Sequence, residues 1–144
     1  LVERVLHAHA SGTRCGQTQD EALVTKARKL SRADAAVDFA RPADEIRRQV
    51  HGLTPWPGVS LAVGSQSLKL LRVREIAPAE PTAHRGASPP APGTLVDPQR
   101  GLIACGAGTF LQLLEVQPAG GRAMDWPALA RGRTFPVGTV ARTA

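Results

Sequence analysis

The chain has 144 residues, of which 42% are hydrophobic and 21% charged, so one globular domain with a connecting segment is expected and wholesale disorder is excluded. Eighteen Lys and Arg against twelve Asp and Glu give a net charge of +6, and the surface should therefore attract polyanions, with nucleic acid as the leading class. A basic surface that serves only solubility is the alternative that charge alone leaves open.

Cysteine content and hydropathy restrict the compartment. The two cysteines, Cys15 and Cys105, are far apart and in dissimilar surroundings, so they form neither a disulfide framework nor a metal or redox signature. No apolar run approaches the roughly 18 residues that cross a bilayer, and residues 1 to 14 lack the pattern of a signal peptide. We therefore expect a soluble, cytoplasmic protein without a membrane partner.

The first predicted element is the end of a helix. Apolar residues recur at helical spacing from Leu1 to Leu6, and Gly12 ends the pattern. Because no N-cap precedes this helix, it looks like part of a longer protein. Residues 14 to 30 are polar and have no steady period, which is typical of a linker.

A second helix is predicted after Pro42, whose ring suits a first helical turn. Its pattern predicts one buried apolar stripe, formed by Ala43, Ile46, Val50 and Leu53. Arg47, Arg48 and His51 are left on the flanks of the helix, where the two arginines are available to a partner.

From residue 59 onward, short alternating or apolar runs broken by Gly and Pro predict a small all-β unit. We expect strands near residues 59–63, 67–76, 94–96, 102–105 and 109–117. Residues 78–93 contain five prolines and predict a mobile loop, whereas residues 125–131 predict a last helical turn. Five short strands with one helix are typical of a closed or nearly closed OB-like barrel, so the predicted fold class is mainly β.

Residues that could perform catalysis or bind a metal do not form a recognisable site. His7 and His9 lie two apart on a helix and point in different directions, while His51 and His84 are isolated. Cys105 ends an apolar run and is expected to be a buried thiol. The sequence thus predicts a binding module with no catalytic residue, metal or cofactor of its own, and its few aromatic residues favour binding to RNA phosphates over single strands.

Five short segments stand out along the chain: residues 27–39, residues 46–50 with 55–58, residues 68–70, residues 92–95 and residues 117–124. In order and spacing they resemble the carboxy-terminal region of methionyl-tRNA formyltransferases. The P-W-P-G and Q-P-A-G motifs form the structural signature, carried by Pro55, Trp56, Pro57, Gly58, Gln117, Pro118 and Gly120. The chain departs from the family pattern at Gly121, where the family has Lys, and at Ala107, where its turn has Asp.

The resemblance implies a two-domain enzyme in which an amino-terminal Rossmann-like domain transfers a formyl group from 10-formyltetrahydrofolate to initiator methionyl-tRNA. On this resemblance, residues 1 to 36 would be the end of the catalytic domain's last helix and the linker, and residues 37 to 144 the OB-like tRNA-binding domain. The implied partners are initiator methionyl-tRNA and the catalytic domain, and the protein would be a monomer. Neither the catalytic groups nor the folate site would lie in this chain.

The basic residues then acquire a role in neutralising tRNA phosphates. The candidate contacts are Lys29, Arg32, Arg47, Arg48, Lys69 and Arg122. Trp56, directly after the second helix, is expected to pack across the junction between helix and barrel.

Two other functions remain open at the level of sequence. The chain has features expected of the tail domain of another folate-dependent formyltransferase, and also of a free-standing OB-like adaptor that binds RNA or protein.

Overall fold

The computed structural model describes residues 2–13, 16, 18–76 and 89–144. In this part of the chain the α-helices are α1 (Val2–Ala10), α2 (Ala43–Gly52) and α3 (Trp126–Gly132). The strands are β1 (Val59–Val63), β2 (Gln66–Ile76), β3 (Leu95–Asp97), β4 (Leu102–Ala104), β5 (Phe110–Pro118), β6 (Met124–Asp125) and β7 (Ala141–Thr143). None of the described helices is long and apolar enough to cross a membrane.

All the strand pairs are antiparallel, in the order β3-β4-β5-β2-β1-β7, and β6 adds to β5. Backbone bonds also join the two ends of this order, because Leu95 N–H donates to Thr139 O at 2.8 Å and Ala141 N–H donates to Gly93 O at 2.8 Å. The predicted mainly β class is confirmed, and the curled sheet is consistent with a small OB-like barrel.

The five predicted strands are confirmed, with bounds within a residue or two of those expected. The predicted helices at the start of the chain, after Pro42 and near residue 126 are confirmed as well. Two short strands, β6 and β7, were not predicted. The linker contains two 3₁₀ turns, Glu21–Leu23 and Arg32–Ala35, with no buried residue in either. Residues 78–88 of the predicted proline-rich loop lie outside the described residues.

Helix α2 packs its apolar stripe onto the sheet, as its sequence predicts. Ala43, Ile46 and Val50 are completely buried, and Leu53 at the end of the helix is buried too. The stripe lies against β2, whose inward residues Leu68 and Leu70 are buried in the same core. Burying the stripe in this way leaves the polar face of α2 toward solvent.

The tryptophan in the core is Trp126, and the prediction that Trp56 packs across the junction of helix and barrel is wrong. Trp126 is fully buried and donates its indole N–H to Pro98 O at 2.8 Å, whereas Trp56 is 60% exposed. The physical reason is that Leu53 and Val59, buried on either side of the turn, already fill this junction. The indole of Trp56, in the turn between Leu53 and Val59, therefore points outward.

The amino-terminal end of α2 is held by the β4–β5 hairpin. Ala43 N–H, an N-terminal donor without a partner inside the helix, donates to Thr109 Oγ1 at 2.9 Å, and Thr109 donates to Gly106 O at 2.7 Å. Gly106 N–H in turn donates to Phe39 O at 2.9 Å. A Cβ at Gly106 would lie 1.8 Å from Ala40 O, so only glycine permits this approach.

Candidate nucleic-acid interface

Lys69 is held against the P-W-P-G turn. Its Nζ donates to Pro55 O at 2.9 Å, and the lysine stem passes beside Gly58. Gly58 has φ +77°, and a Cβ there would lie 2.4 Å from Lys69 Cε, so glycine serves both the backbone conformation and the lysine. The turn thereby holds the ammonium group of Lys69 at a defined position on the barrel.

The Q-P-A-G segment lies beside Lys69 on the outer face. Lys69 faces Ser60 of β1 on one side and Gln117 of β5 on the other. Gln117 Nε2 donates to Gly121 O at 2.9 Å, which holds the turn that carries exposed Arg122. Lys69 therefore lies beside the strand residue that holds the turn before Arg122.

Two remaining signature residues shape this turn. Pro118 is buried at the end of β5, and Gly120 has φ +71°, a conformation that glycine adopts without strain. These two residues act on the backbone and not by direct contact with a partner.

Arg32 reaches the same region from the linker. It lines a surface cavity of about 220 Å³ together with Pro57, Gly58 and Ser60. Exposed Trp56 immediately precedes Pro57. We call the area formed by Arg32, Trp56, Lys69 and Arg122 the turn surface.

Arg47 and Arg48 are each paired with a carboxylate, and the partner of Arg47 lies far from Lys69 along β2. Arg47 Nε is 3.1 Å from Glu75 Oε2, and Arg48 Nη1 is 2.8 Å from Asp44 Oδ2. Glu75 follows Lys69 by six strand residues, which corresponds to about 20 Å. The six predicted contacts are therefore not one cluster.

Lys29 is exposed in the linker, next to an ion pair between Arg28 and Asp34. The Arg28 hydrogen bond, together with those from the Ser31 backbone and hydroxyl, holds the pKa of Asp34 well below its usual range. Since Asp34 belongs to the 3₁₀ turn that begins at Arg32, this charged form supports the position of Arg32.

Charge is balanced differently in the two halves of the chain. The described ion pairs all involve arginines between residues 28 and 48, namely Arg28–Asp34, Arg41–Glu45, Arg47–Glu75 and Arg48–Asp44. The described arginines later in the chain form no ion pair with a described acid; they are Arg72, Arg74, Arg100, Arg122, Arg131, Arg133 and Arg142. The uncompensated positive charge therefore lies mainly in the barrel.

Sequence reasoning missed Arg72 and Arg142 as candidates. Arg72 is exposed at a bulge in β2, where it faces Glu115, and Arg142 lies on β7 opposite Ala62. Strand β7 has only three residues, too few to show the alternation that predicts a strand. Arg142 was therefore not recognised as an outward strand position.

The groups with chemical reactivity are used structurally. Cys105 is buried, as its sequence context predicts, and burial raises the pKa of its thiol to about 12. His51 Nε2 accepts a hydrogen bond from Val73 N–H at 3.3 Å. Among the described residues, no group of three or more His, Cys, Asp or Glu side chains could hold a metal ion.

Fold and surface together define a small, mainly β domain with a basic outer face. The family model described as "Formyl transferase, C-terminal domain" matches residues 29–134, and the chain belongs to this family. The resemblance recognised from the five sequence segments is thereby confirmed.

Curated relatives extend the match to almost the whole chain. The methionyl-tRNA formyltransferase of Pseudomonas paraeruginosa is 36% identical over 135 residues, covering 91% of this chain and 40% of the relative. That of Acidiphilium cryptum is 40% identical over 84% of this chain and 36% of the relative, and that of a Methylobacterium species is 37% identical over 96% and 42%. The chain thus spans about 40% of the length of these relatives.

Proposed function

We propose that the chain is the carboxy-terminal tRNA-binding domain of a methionyl-tRNA formyltransferase. In this proposal it holds initiator methionyl-tRNA, while a catalytic domain outside these 144 residues transfers the formyl group from 10-formyltetrahydrofolate. The observation that carries the proposal is the family match over residues 29–134, with relatives that bear this enzyme's name. We retain the expectation of a cytoplasmic monomer.

Residues 1 to 36 are proposed to connect this domain to the catalytic domain. Helix α1 has no buried residue, although Val2, Val5 and Leu6 form a stripe at helical spacing and are each at least 60% exposed. Such a stripe is stable when another apolar surface covers it. We propose that the catalytic domain supplies that surface and that residues 37 to 144 form the tRNA-binding unit.

The turn surface is proposed as the main phosphate contact. Lys69 already has its amino group fixed by Pro55 O, so less side-chain freedom is lost when a phosphate binds. Arg122 is exposed and has no ion pair with a described acid. By contrast, a phosphate at Arg47 or Arg48 has to compete with Glu75 or Asp44. We therefore expect Lys69 and Arg122 to contribute more than the two helix arginines.

The test is binding of labelled initiator tRNA to the 144-residue chain over a series of salt concentrations. Lys69→Ala and Arg122→Ala should each reduce the slope of log K against log salt by roughly 0.7 to 1, and should weaken initiator and elongator tRNAs alike. Arg131→Ala is the matched control, because Arg131 is exposed on α3 and outside the turn surface. Undetectable binding of wild-type chain at low salt would remove the proposal.

A further inference from the structure

Trp56 is an exposed aromatic side chain on a stiff support. It lies between Pro55 and Pro57, whose rings fix their own φ angles. Gly58 N–H donates to Leu53 O at 2.9 Å across the turn, and Lys69 Nζ binds Pro55 O. The indole is therefore displayed on a backbone that is already ordered, and little further order is required when a flat ligand packs on it.

Two cationic residues lie against the turn that carries this indole. Lys69 is bound to the residue before Trp56, and Arg32 lines the cavity beside the residue after it. An exposed aromatic side chain on a turn that two cations contact suits a nucleotide, which has a flat base that can stack and a phosphate that needs a positive partner. Because the chain has a net charge of +6, an anionic partner such as a nucleotide is favoured over a partner protein with few acidic groups.

We propose that Trp56 stacks on one unpaired nucleobase of the bound RNA, while Lys69 and Arg32 hold the adjacent phosphate. This inference rests on the proposed function and deepens it, because it assigns an unpaired nucleotide to a surface otherwise expected to contact only phosphates. One stacked base fits a chain with only two tryptophans, of which Trp126 is buried in the core.

The experiment compares two RNA probes on the full chain. The probes are a short blunt RNA duplex and the same duplex with a single-stranded 3′ extension. Wild-type chain should bind the extended duplex about 5- to 150-fold more tightly, as expected for one stacked base. Trp56→Ala should abolish this preference, and Trp56→Phe should keep much of it. Lys69→Ala should instead weaken both probes and reduce the salt slope by roughly 0.7 to 1.

Fluorescence supplies an independent measurement. Because Trp126 is fully buried and Trp56 is 60% exposed, a base stacked on Trp56 should quench the wild-type emission. The extended duplex should therefore quench more strongly than the blunt one, and Trp56→Ala should remove the difference. A thermal melt of each variant shows whether the fold is intact.

The possible outcomes separate this inference from the proposed function. If both probes bind and Trp56→Ala leaves the preference unchanged, the stacking inference is overturned and the proposed function stands. Equal weakening of both probes by Trp56→Ala would also overturn it, because the residue would then only support the turn. If Trp56→Ala binds both probes as wild type does but no longer associates with a separately produced catalytic domain, Trp56 contacts protein and the stacking inference is overturned. If neither probe nor tRNA binds wild-type chain at low salt, the proposed function itself fails.

Discussion

Trp126 and Trp56 occupy opposite environments, and single substitutions should show it. The Trp126 ring is buried against Phe135, with ring centres 5.0 Å apart, and packs so closely on Gly101 that a Cβ there would lie 2.7 Å from the indole nitrogen. Trp126→Ala should therefore cost about 3 to 5 kcal/mol of unfolding free energy, and Trp56→Ala less than about 1 kcal/mol. Urea unfolding measures both values. Equal losses would mean that Trp56 contributes to the core after all.

Ala107 is the one described non-glycine residue with a positive φ, at +54°, and Gly108 follows it at +68°. Two successive positive φ angles are expected in a turn that prefers Asn-Gly, and alanine is strained there. Ala107→Gly and Ala107→Asn should each raise the unfolding free energy by about 0.5 to 1 kcal/mol. Ala119→Gly is the matched control, because exposed Ala119 lies in a turn but does not itself have a positive φ, so this variant should lose stability instead. A loss for Ala107→Gly would show that this strain is absent.

At the scale of elements, the hydrogen bond from Ala43 N–H to Thr109 Oγ1 caps α2 with a residue of the β4–β5 hairpin that is distant in sequence. Thr109→Val removes the oxygen that accepts Ala43 N–H while keeping the side-chain shape, so it should cost about 0.5 to 2 kcal/mol. Thr109→Ser retains the acceptor and should cost less. Hydrogen exchange at the Ala43 amide checks the mechanism, since exchange should accelerate in the valine variant and stay slow in the serine variant. Unchanged exchange in both would place the cap elsewhere.

Elements defined by local pattern were predictable from the sequence, and those defined by distant partners were not. The stripe Ala43, Ile46 and Val50 is local and gave the correct buried face of α2, and the short alternating runs gave the correct positions of β1 and β2. Strand β7 has only three residues, and its position depends on hydrogen bonds with β1 and with residues 93–95. No local pattern shows which strands β7 will pair with. Closure of the sheet into a barrel could therefore be expected only from the number of strands.

The candidate site could likewise be predicted where a local motif defines it, and not where it depends on distant partners. Lys69 on β2 and Arg122 in the turn after Gln117 were recognised from motifs, and the structure places Lys69 opposite Gln117, whose side chain holds that turn. The grouping of Arg32 with the turn, and the separation of Arg47 by its ion pair with Glu75, depend on folding. Exposure of Trp56 was missed for a related reason, because a turn sequence does not tell which neighbour fills the core.

At the scale of the whole molecule, the proposed division of labour predicts that the 144-residue chain alone does not formylate methionyl-tRNA. Transfer of a formyl group to an amine requires a general base within hydrogen-bond reach of that amine. The Cys105 thiol is buried with a pKa of about 12, and His51 Nε2 is engaged with Val73 N–H. Neither group suits that role.

The measurement is formyl transfer from 10-formyltetrahydrofolate to initiator methionyl-tRNA, with wild-type chain and a Lys69→Ala, Arg122→Ala double variant assayed side by side. Contaminating host enzyme would give the same background in both preparations, because the substitutions lie only in this chain. Turnover in wild type that falls in the double variant would belong to the chain itself and would contradict the prediction. Equal background in both, together with weaker tRNA binding by the double variant, would agree with a domain that holds tRNA while another performs the chemistry.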